Sequence, residues 1–440
     1  MKPNYRTSGL LRRTVIRTLI SLCTIPVLCP SFSTVKAQAV DTLRLTLDDA
    51  EKRFLNQNFA LLAQRYNIDV SKALVLQAKL YPNPNIQMAT AVYDGDHKKW
   101  FSTPLTENGE LTAGISQTII LARKRNKAIK IAEANVKLSE YQFYDLVRTL
   151  KYTLRTDFYN IYYLQQSAKV YDAEISSLQQ VTKAFAEQQG KGYIAEKEVV
   201  RVQAQLYALQ SEYNDLVNQI NDLQSELRLV LQEKKVYIVP VIDNSTLASL
   251  NPAKYSLSTL IDSAYVQRTD LMIAKANTDI SKLNYTYEKA NAVPDLTANV
   301  NYDQQGSYRN NFYSAGLAID LPFFNRNQGN IKGAKKMIDV NATQQKSVEA
   351  TVEENVFRSL QKATDADKLY KNIDPKFSGD FERLMREVLI NYQRRNISLL
   401  DFLDFYDSYK ENVLQVNAIQ FNRVSAFEDI NFYTGSNFFN

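Results

Sequence analysis

Three carboxylates recur every third residue in the last fifth of the chain: Asp401, Asp404 and Asp407. At that spacing they drift slowly around one side of a helix. Their chemistry is to gather cations and to repel one another, unless they simply belong to a solvated face. Little else in the sequence could do chemistry. The one histidine, His97, sits in a polar loop beside Lys98 and Lys99 and reads as a solvated side chain. No serine or cysteine nucleophile has an evident base, and no glycine-rich phosphate loop or metal-spaced cluster occurs. The pattern excludes an ordinary enzyme and calls for no cofactor, catalytic residue or metal site.

Composition narrows the setting. Residues 2–17 carry Lys2, Arg6, Arg12, Arg13 and Arg17 without an acid, followed by an apolar run from Leu19 to Leu28 and small-residue cleavage sites at 35–39. This is the pattern of a cleaved signal peptide over 1–39. An anchoring helix is the alternative, although the run is broken by Pro26 and falls short of the roughly 18–20 residues a span needs. The signal holds six of the 53 bases and none of the 47 acids, so the mature chain carries 47 of each sign. Nucleic acid is therefore not an expected partner. Cys23 and Cys29 are the two cysteines, so disulfides and thiolate metal sites are excluded from the mature chain.

The elements that position the carboxylates are long helices. From Arg123 to Gln189 there is no proline or glycine, and Val147, Leu150, Leu154, Phe158, Ile161, Leu164, Ala168, Tyr171, Ile175 and Leu178 recur at spacings of three and four. A second run, from Val199 through Val202, Leu206, Leu209, Tyr213, Leu216, Ile220, Leu223 and Leu227 to Val230, forms a coiled-coil seam. Gly190, Lys191 and Gly192 between them permit a reversal. A second helical hairpin is expected over 326–432, with a break at Asp374-Pro375 and a reversal near Arg394, Arg395 and Asn396. Asparagine tolerates the left-handed conformation that such a turn needs.

The chain also repeats itself. Residues 45–66 and 255–276 correspond at a spacing of 210, and Pro84 answers Pro294. A duplicated unit of helix, strand pair and helical hairpin follows, with a first repeat over 40–233, an intervening segment over 234–256 and a second repeat over 257–440. In the first repeat the strands are expected at 86–93 and 111–119 and the hairpin at 123–233. In the second repeat the strands are expected at 296–303 and 312–321. Each strand alternates apolar and polar residues, the first pair more weakly, and lengths of about 8–10 residues suit the roughly 9–11 that a tilted membrane strand requires. A soluble hairpin would show the same alternation. If the strands do enter a membrane, four cannot close a barrel, and several copies must share one.

Four stretches give this layout a family resemblance: LTLDDA at 45–50 with LYPNPNI at 80–86; AGISQTI at 113–119 running into RKR at 123–125; AGLAIDLPFFNRNQGNI at 315–331; and NISLLDFLDF at 396–405. The chain resembles the TolC-like outer-membrane factors, the exit ducts of tripartite efflux pumps, over essentially its whole mature length. The resemblance implies a mostly α-helical homotrimer with a twelve-stranded outer-membrane β-barrel above a coiled-coil periplasmic tunnel. It implies as partners a periplasmic adaptor, an inner-membrane pump, expected to be proton-driven and of the RND type, and outer-membrane lipid. Asp401 and Asp404, with Asp407 less firmly, would ring the periplasmic gate. The tips at Gly190, Lys191, Gly192, Arg394, Arg395 and Asn396 would meet the adaptor. LPFFNRNQGNI resembles the heavy-metal branch, which favours metal cations over drugs as cargo. A type I protein-secretion duct within the same family and a secreted structural coiled coil without a pore are the alternatives. In sequence register Asp401 and Asp404 face Lys197 and Val200 of the first repeat, so only the second hairpin is expected to supply carboxylates.

Overall fold

A computed structural model describes residues 41–95, 98–100, 110–305, 309–374, 376–394 and 396–439. The signal segment, His97, Pro375 and Arg395 lie outside the described residues. In chain order the elements are β1 (Asp41–Thr46), α1 (Leu47–Gln57), α2 (Phe59–Lys79), β2 (Asn85–Thr90), β3 (Tyr93–Asp94), β4 (Lys99–Trp100), β5 (Leu111–Ile119), α3 (Lys124–Gly190), α4 (Glu196–Leu231) and β6 (Val236–Val241). They continue with α5 (Asn244–Ala248), α6 (Leu257–Gln267), α7 (Thr269–Asn291), β7 (Leu296–Asp303), β8 (Phe312–Ile319), α8 (Gln328–Lys371), α9 (Phe377–Gln393) and α10 (Leu399–Thr434). No described helix is long and apolar enough to cross a membrane.

Length and caps set the helices. α3 runs 67 residues without an internal breaker, which is about 100 Å at 1.5 Å per residue. Asn58 caps α2 by accepting from the N–H groups of Ala60 and Leu61, and Ser256 caps α6 through the N–H of Thr259. α1 and α6 are both 11 residues long, and α4 and α10 are both 36.

The helical cores follow the seams. Val199, Val202, Leu206, Leu209, Leu216, Ile220, Leu227 and Val230 of α4 are buried. Many of them join Tyr171, Leu178 and Val181 of α3 and Met385, Val388, Tyr392, Phe402, Leu403 and Tyr406 of the second hairpin in one cluster. A second cluster lies where α1, α3 and α4 meet β1 and β6, which pair in parallel from Asp41↔Val236 to Thr46↔Val241. β1 was not legible in the sequence because its register is set by a strand almost 200 residues away.

Four strands form one antiparallel sheet in the order β2-β5-β7-β8. Expected strand 86–93 is interrupted: β2 ends at Thr90 and Tyr93–Asp94 pairs instead with Lys99–Trp100. Expected strand 312–321 ends at Ile319, where the chain turns toward Pro322. The sheet is open within one chain, and the closed barrel expected from sequence is not made by these four strands alone.

Register makes the sheet two-faced. The aligned rows Ile86–Ile115–Val300–Ala315, Met88–Ala113–Tyr302–Tyr313 and Ile119–Leu296–Ile319 put apolar groups on one side. Ile86, Met88, Tyr313 and Leu317 on that side are each 70–71% exposed. The opposite side carries Asn299 and Asn301 over the glycines of the flanking strands. A Cβ on Gly316 would stand 2.7 Å from Asn299 Oδ1, and one on Gly114 2.6 Å from Asn301 Oδ1. Glycine here makes room for the amides.

A buried cation ties the second repeat together. Arg423 is 2% exposed, donates to Asp367 Oδ1 at 2.8 Å and gives its two other nitrogens to the carbonyls of Leu247 and Leu250 at 2.7 Å. Replacing it leaves buried acceptors unpaired, which costs about 3–5 kcal/mol. Arg423→Leu is therefore expected to lower the thermal unfolding midpoint followed by circular dichroism by several degrees. Lys371→Ala, which removes an exposed lysine from the same buried Asp367 while Arg423 still neutralises it, costs about 0–1 kcal/mol and leaves the midpoint nearly unchanged.

Candidate functional site

The two helical reversals lie side by side. At the first, Gly192 holds a left-handed φ of 76°, and Tyr193 N–H donates to the Gln188 carbonyl at 3.0 Å. At the second, Asn396 N–H donates to the Asn391 carbonyl at 2.9 Å and its side-chain amide to Asn391 Oδ1 at 3.1 Å. Both bonds reach back five residues, so Asn396 matches Tyr193 rather than Gly192. Asn396 therefore does not hold the glycine-like, left-handed position expected of it. Gly190, Lys191, Gly192, Arg394 and Asn396 are all exposed.

Between the tips runs a cleft of about 640 Å³, lined from α3 by Val181 and Phe185, from α4 by Glu198, and from the second hairpin by Leu389, Tyr392 and Ile397. Phe185 and Tyr392 bring their rings to 5.8 Å, and Tyr392 stacks on Phe402 at 4.3 Å and 10°. The Tyr392 hydroxyl is buried and has no hydrogen-bond partner among the described residues.

The three carboxylates separate in role. Three residues advance a helix by about 300°, so each successive aspartate turns back by about 60°. Asp401 closes a capping box: its carboxylate accepts from the Ser398 hydroxyl at 2.7 Å and the Ser398 N–H at 3.3 Å, while Ser398 Oγ accepts from the Asp401 N–H at 3.2 Å. Asp404 is exposed, on the side of α10 away from buried Phe402, Leu403 and Tyr406. Asp407 has turned into the seam, where it accepts from Gln205 Nε2 of α4 at 2.8 Å and lies 3.7 Å from Lys410.

Cap geometry also revises the comparison between repeats. Ala195 and Ser398 occupy equivalent cap positions, so Asp401 matches Glu198 and Asp404 matches Arg201. The pairing with Lys197 and Val200 was one residue out of register. A carboxylate therefore stands at the third helical position of both tips.

Behind the tips lies a polar cluster that sequence reasoning missed, because its members look like ordinary surface charges. Lys410 is 7% exposed and donates to Glu212 at 2.8 Å. Glu174, only 3% exposed, packs nearby with Oε1 unpaired, and the Tyr406 hydroxyl donates to its backbone carbonyl. Burial pushes the Glu174 carboxyl up to about 8, opposed by Lys410 and reinforced by Asp407 and Glu212. Burial also raises Asp407, with Lys410 opposing. Among the described residues no group of three His, Cys, Asp or Glu side chains is placed to hold a metal ion.

A raised acid favours the folded state while it keeps its proton. The stability tied to Glu174 is thus fully present below about 4.5 and is lost as pH rises toward about 8. Glu174→Gln is expected to match the parent melting temperature near the lower pH and to exceed it above the upper one. Identical pH profiles for the two proteins would remove Glu174 from this role.

The comparisons with known proteins agree with this arrangement. Residues 52–231 match the family described as Outer membrane efflux protein. The chain is 20% identical over 295 residues to the cobalt-zinc-cadmium resistance protein CzcC of Cupriavidus metallidurans, covering 67% of each chain. Its fold is similar to the Campylobacter jejuni CmeC outer membrane channel, with a TM-score of 0.72 at 14% identity over 88% of this chain and 85% of the other. It is also similar to CusC, with a TM-score of 0.70 at 15% identity over 89% and 92%. These neighbours are channel proteins rather than enzymes. A two-faced strand sheet set on paired helical hairpins is thus shared with solved outer-membrane channels, and residues 52–231 carry the match to the outer membrane efflux protein family.

Proposed function

We propose that the protein is the outer-membrane exit duct of a tripartite efflux system and conducts its cargo passively. The observation that carries this reading is the open sheet, whose apolar side is exposed and whose outer strands, β2 and β8, each lack a partner on one edge among the described residues. Unpaired backbone edges are untenable in hydrocarbon. Three copies, each giving four strands, make a closed barrel of twelve, with six helical hairpins forming the tunnel below it. The chain is then exported by cleavage within residues 1–39 and resides in the outer membrane with its helices in the periplasm.

The tips serve two purposes in this account. The cleft containing Tyr392 receives a periplasmic adaptor, which links the duct to an inner-membrane pump of the proton-driven RND type. The face of α10 that carries Asp401 and Asp404 lines the entrance, and a three-fold axis repeats each carboxylate three times. Such rings gather cations and, where the mouth is narrow, repel one another. Glu198 and Arg201 of α4 border them, so the entrance mixes one cation with three carboxylates per copy. Opening follows from hairpins that exchange packing along their seams.

Metal cations are the favoured cargo. Support comes from the likeness to a cobalt-zinc-cadmium resistance protein and from carboxylates at the entrance. Beyond residue 39 the chain has no cysteine and only four methionines to offer as soft ligands, and passive conduction needs none.

Planar-bilayer recording on the purified mature protein tests the duct. Asp404→Asn, which leaves the Ser398–Asp401 cap intact, is expected to weaken cation selectivity and change single-channel conductance several-fold. Absence of any conductance in the parent and in an Asp401→Asn/Asp404→Asn double variant would contradict the proposal and favour a pore-free coiled coil.

A further inference from the structure

The periplasmic end of the sheet carries a concentration of positive charge that conduction does not require. Ile119, Leu296 and Ile319 lie in register, so β5 and β8 end at one level and their chains run on into α3 and α8. Residues 123–130 hold Arg123, Lys124, Arg125, Lys127 and Lys130 with no acid before Glu133. Residues 326–336 hold Arg326, Lys332, Lys335 and Lys336 with no acid before Asp339. Some of these cations have work: Lys124 pairs with Asp295 at 2.7 Å, and Lys127 donates to the Ala122 carbonyl at 2.6 Å. Arg123, Arg326, Lys332 and Lys335 are exposed.

Apolar groups stand beside them. Just past the end of β8 the chain turns, with Phe323 N–H donating to the Leu321 carbonyl at 2.9 Å, and there Leu321 and Phe323 are 61% and 73% exposed and Phe324 is 95% exposed. Tyr81, 70% exposed, has the Arg125 guanidinium 4.0 Å above its ring. Neither α3 nor α8 has a side-chain cap, although Lys124 N–H donates to the Leu121 carbonyl at 3.1 Å, so both present the positive end of the helix dipole at this level. Aromatic rings, arginines and lysines in one band are what the boundary between hydrocarbon and headgroups selects.

We propose that this band is a collar for anionic phospholipids of the periplasmic leaflet. Phe323 and Phe324 reach the acyl boundary, while Arg123, Arg326, Lys332 and Lys335 hold phosphate groups. The geometry fits. Lys332 lies about 6 Å along α8 from its start, comparable to a headgroup layer about 5–8 Å deep, and lysine stems can bend upward to it. The collar rests on the barrel reading above, since it needs the apolar side of the sheet to face lipid.

The test uses the full mature chain and its R123Q/R326Q/K332Q/K335Q variant. Both are incorporated into vesicles of pure phosphatidylcholine or of phosphatidylcholine with one-third phosphatidylglycerol, and thermal unfolding is followed by circular dichroism. Inorganic phosphate added to phosphatidylcholine vesicles forms a third arm. The collar predicts a melting temperature several degrees higher with phosphatidylglycerol for the parent, at least half of that gain lost in the variant, and no gain from phosphate. Equal gains in parent and variant would overturn it, as would the same gain from phosphate alone or no gain from phosphatidylglycerol. Flotation separates this failure from the larger one: a chain that floats with both vesicle types without a phosphatidylglycerol gain loses only the collar. A chain that floats with neither loses the barrel and the collar together.

Discussion

Backbone groups without partners constrain this molecule more than any side chain does. β2 and β8 each present one row of amide and carbonyl groups that no described strand in the chain satisfies, on a sheet whose apolar side is open. Such edges invite pairing with another copy, and in hydrocarbon they require it. The polar side agrees with closure, because asparagines of β7 lie over glycines of β5 and β8 and leave a surface of small polar groups. Barrel, trimer and duct are three consequences proposed from one unmet hydrogen-bonding demand.

The helices translate that geometry to the far end. α3, continuous for 67 residues, connects the strand level to the tips without a flexible joint. Its turn from β5 is held tightly: Ala122 and Arg123 both take positive φ, and Asp295 accepts from the Leu121 N–H and from Lys124. Along the way buried charges meet in pairs or triads, as where Arg155 bridges Glu51 and Glu428 at 2.7 Å. Those networks fix which helix faces which, since a slipped register would strand a charge.

Much of this was legible in the sequence, for a physical reason. Seam residues such as Val202, Leu209 and Ile220 repeat at the period of the helix, so their burial could be read locally. The carboxylates were visible for the same reason, as was the reversal at Gly190–Gly192. What local pattern could not reveal was long-range register. Arg423, Glu174 and Lys410 look like surface charges until the partners from other helices are in place. Tip correspondence slipped by one residue because the repeats differ in the length of the segments that precede α4 and α10. Asp401, read only as an entrance charge, also closes its own helix cap.

Strand closure between copies tests the central claim most directly, and a mature chain lacking residues 1–39, and so free of cysteine, makes the measurement clean. Single cysteines placed along Asn85–Thr90 are combined with single cysteines along Phe312–Ile319 and oxidised in the membrane-inserted protein. The account predicts that one register yields a covalent trimer on a denaturing gel. If every combination leaves only monomer, the edges do not meet and the shared barrel is wrong.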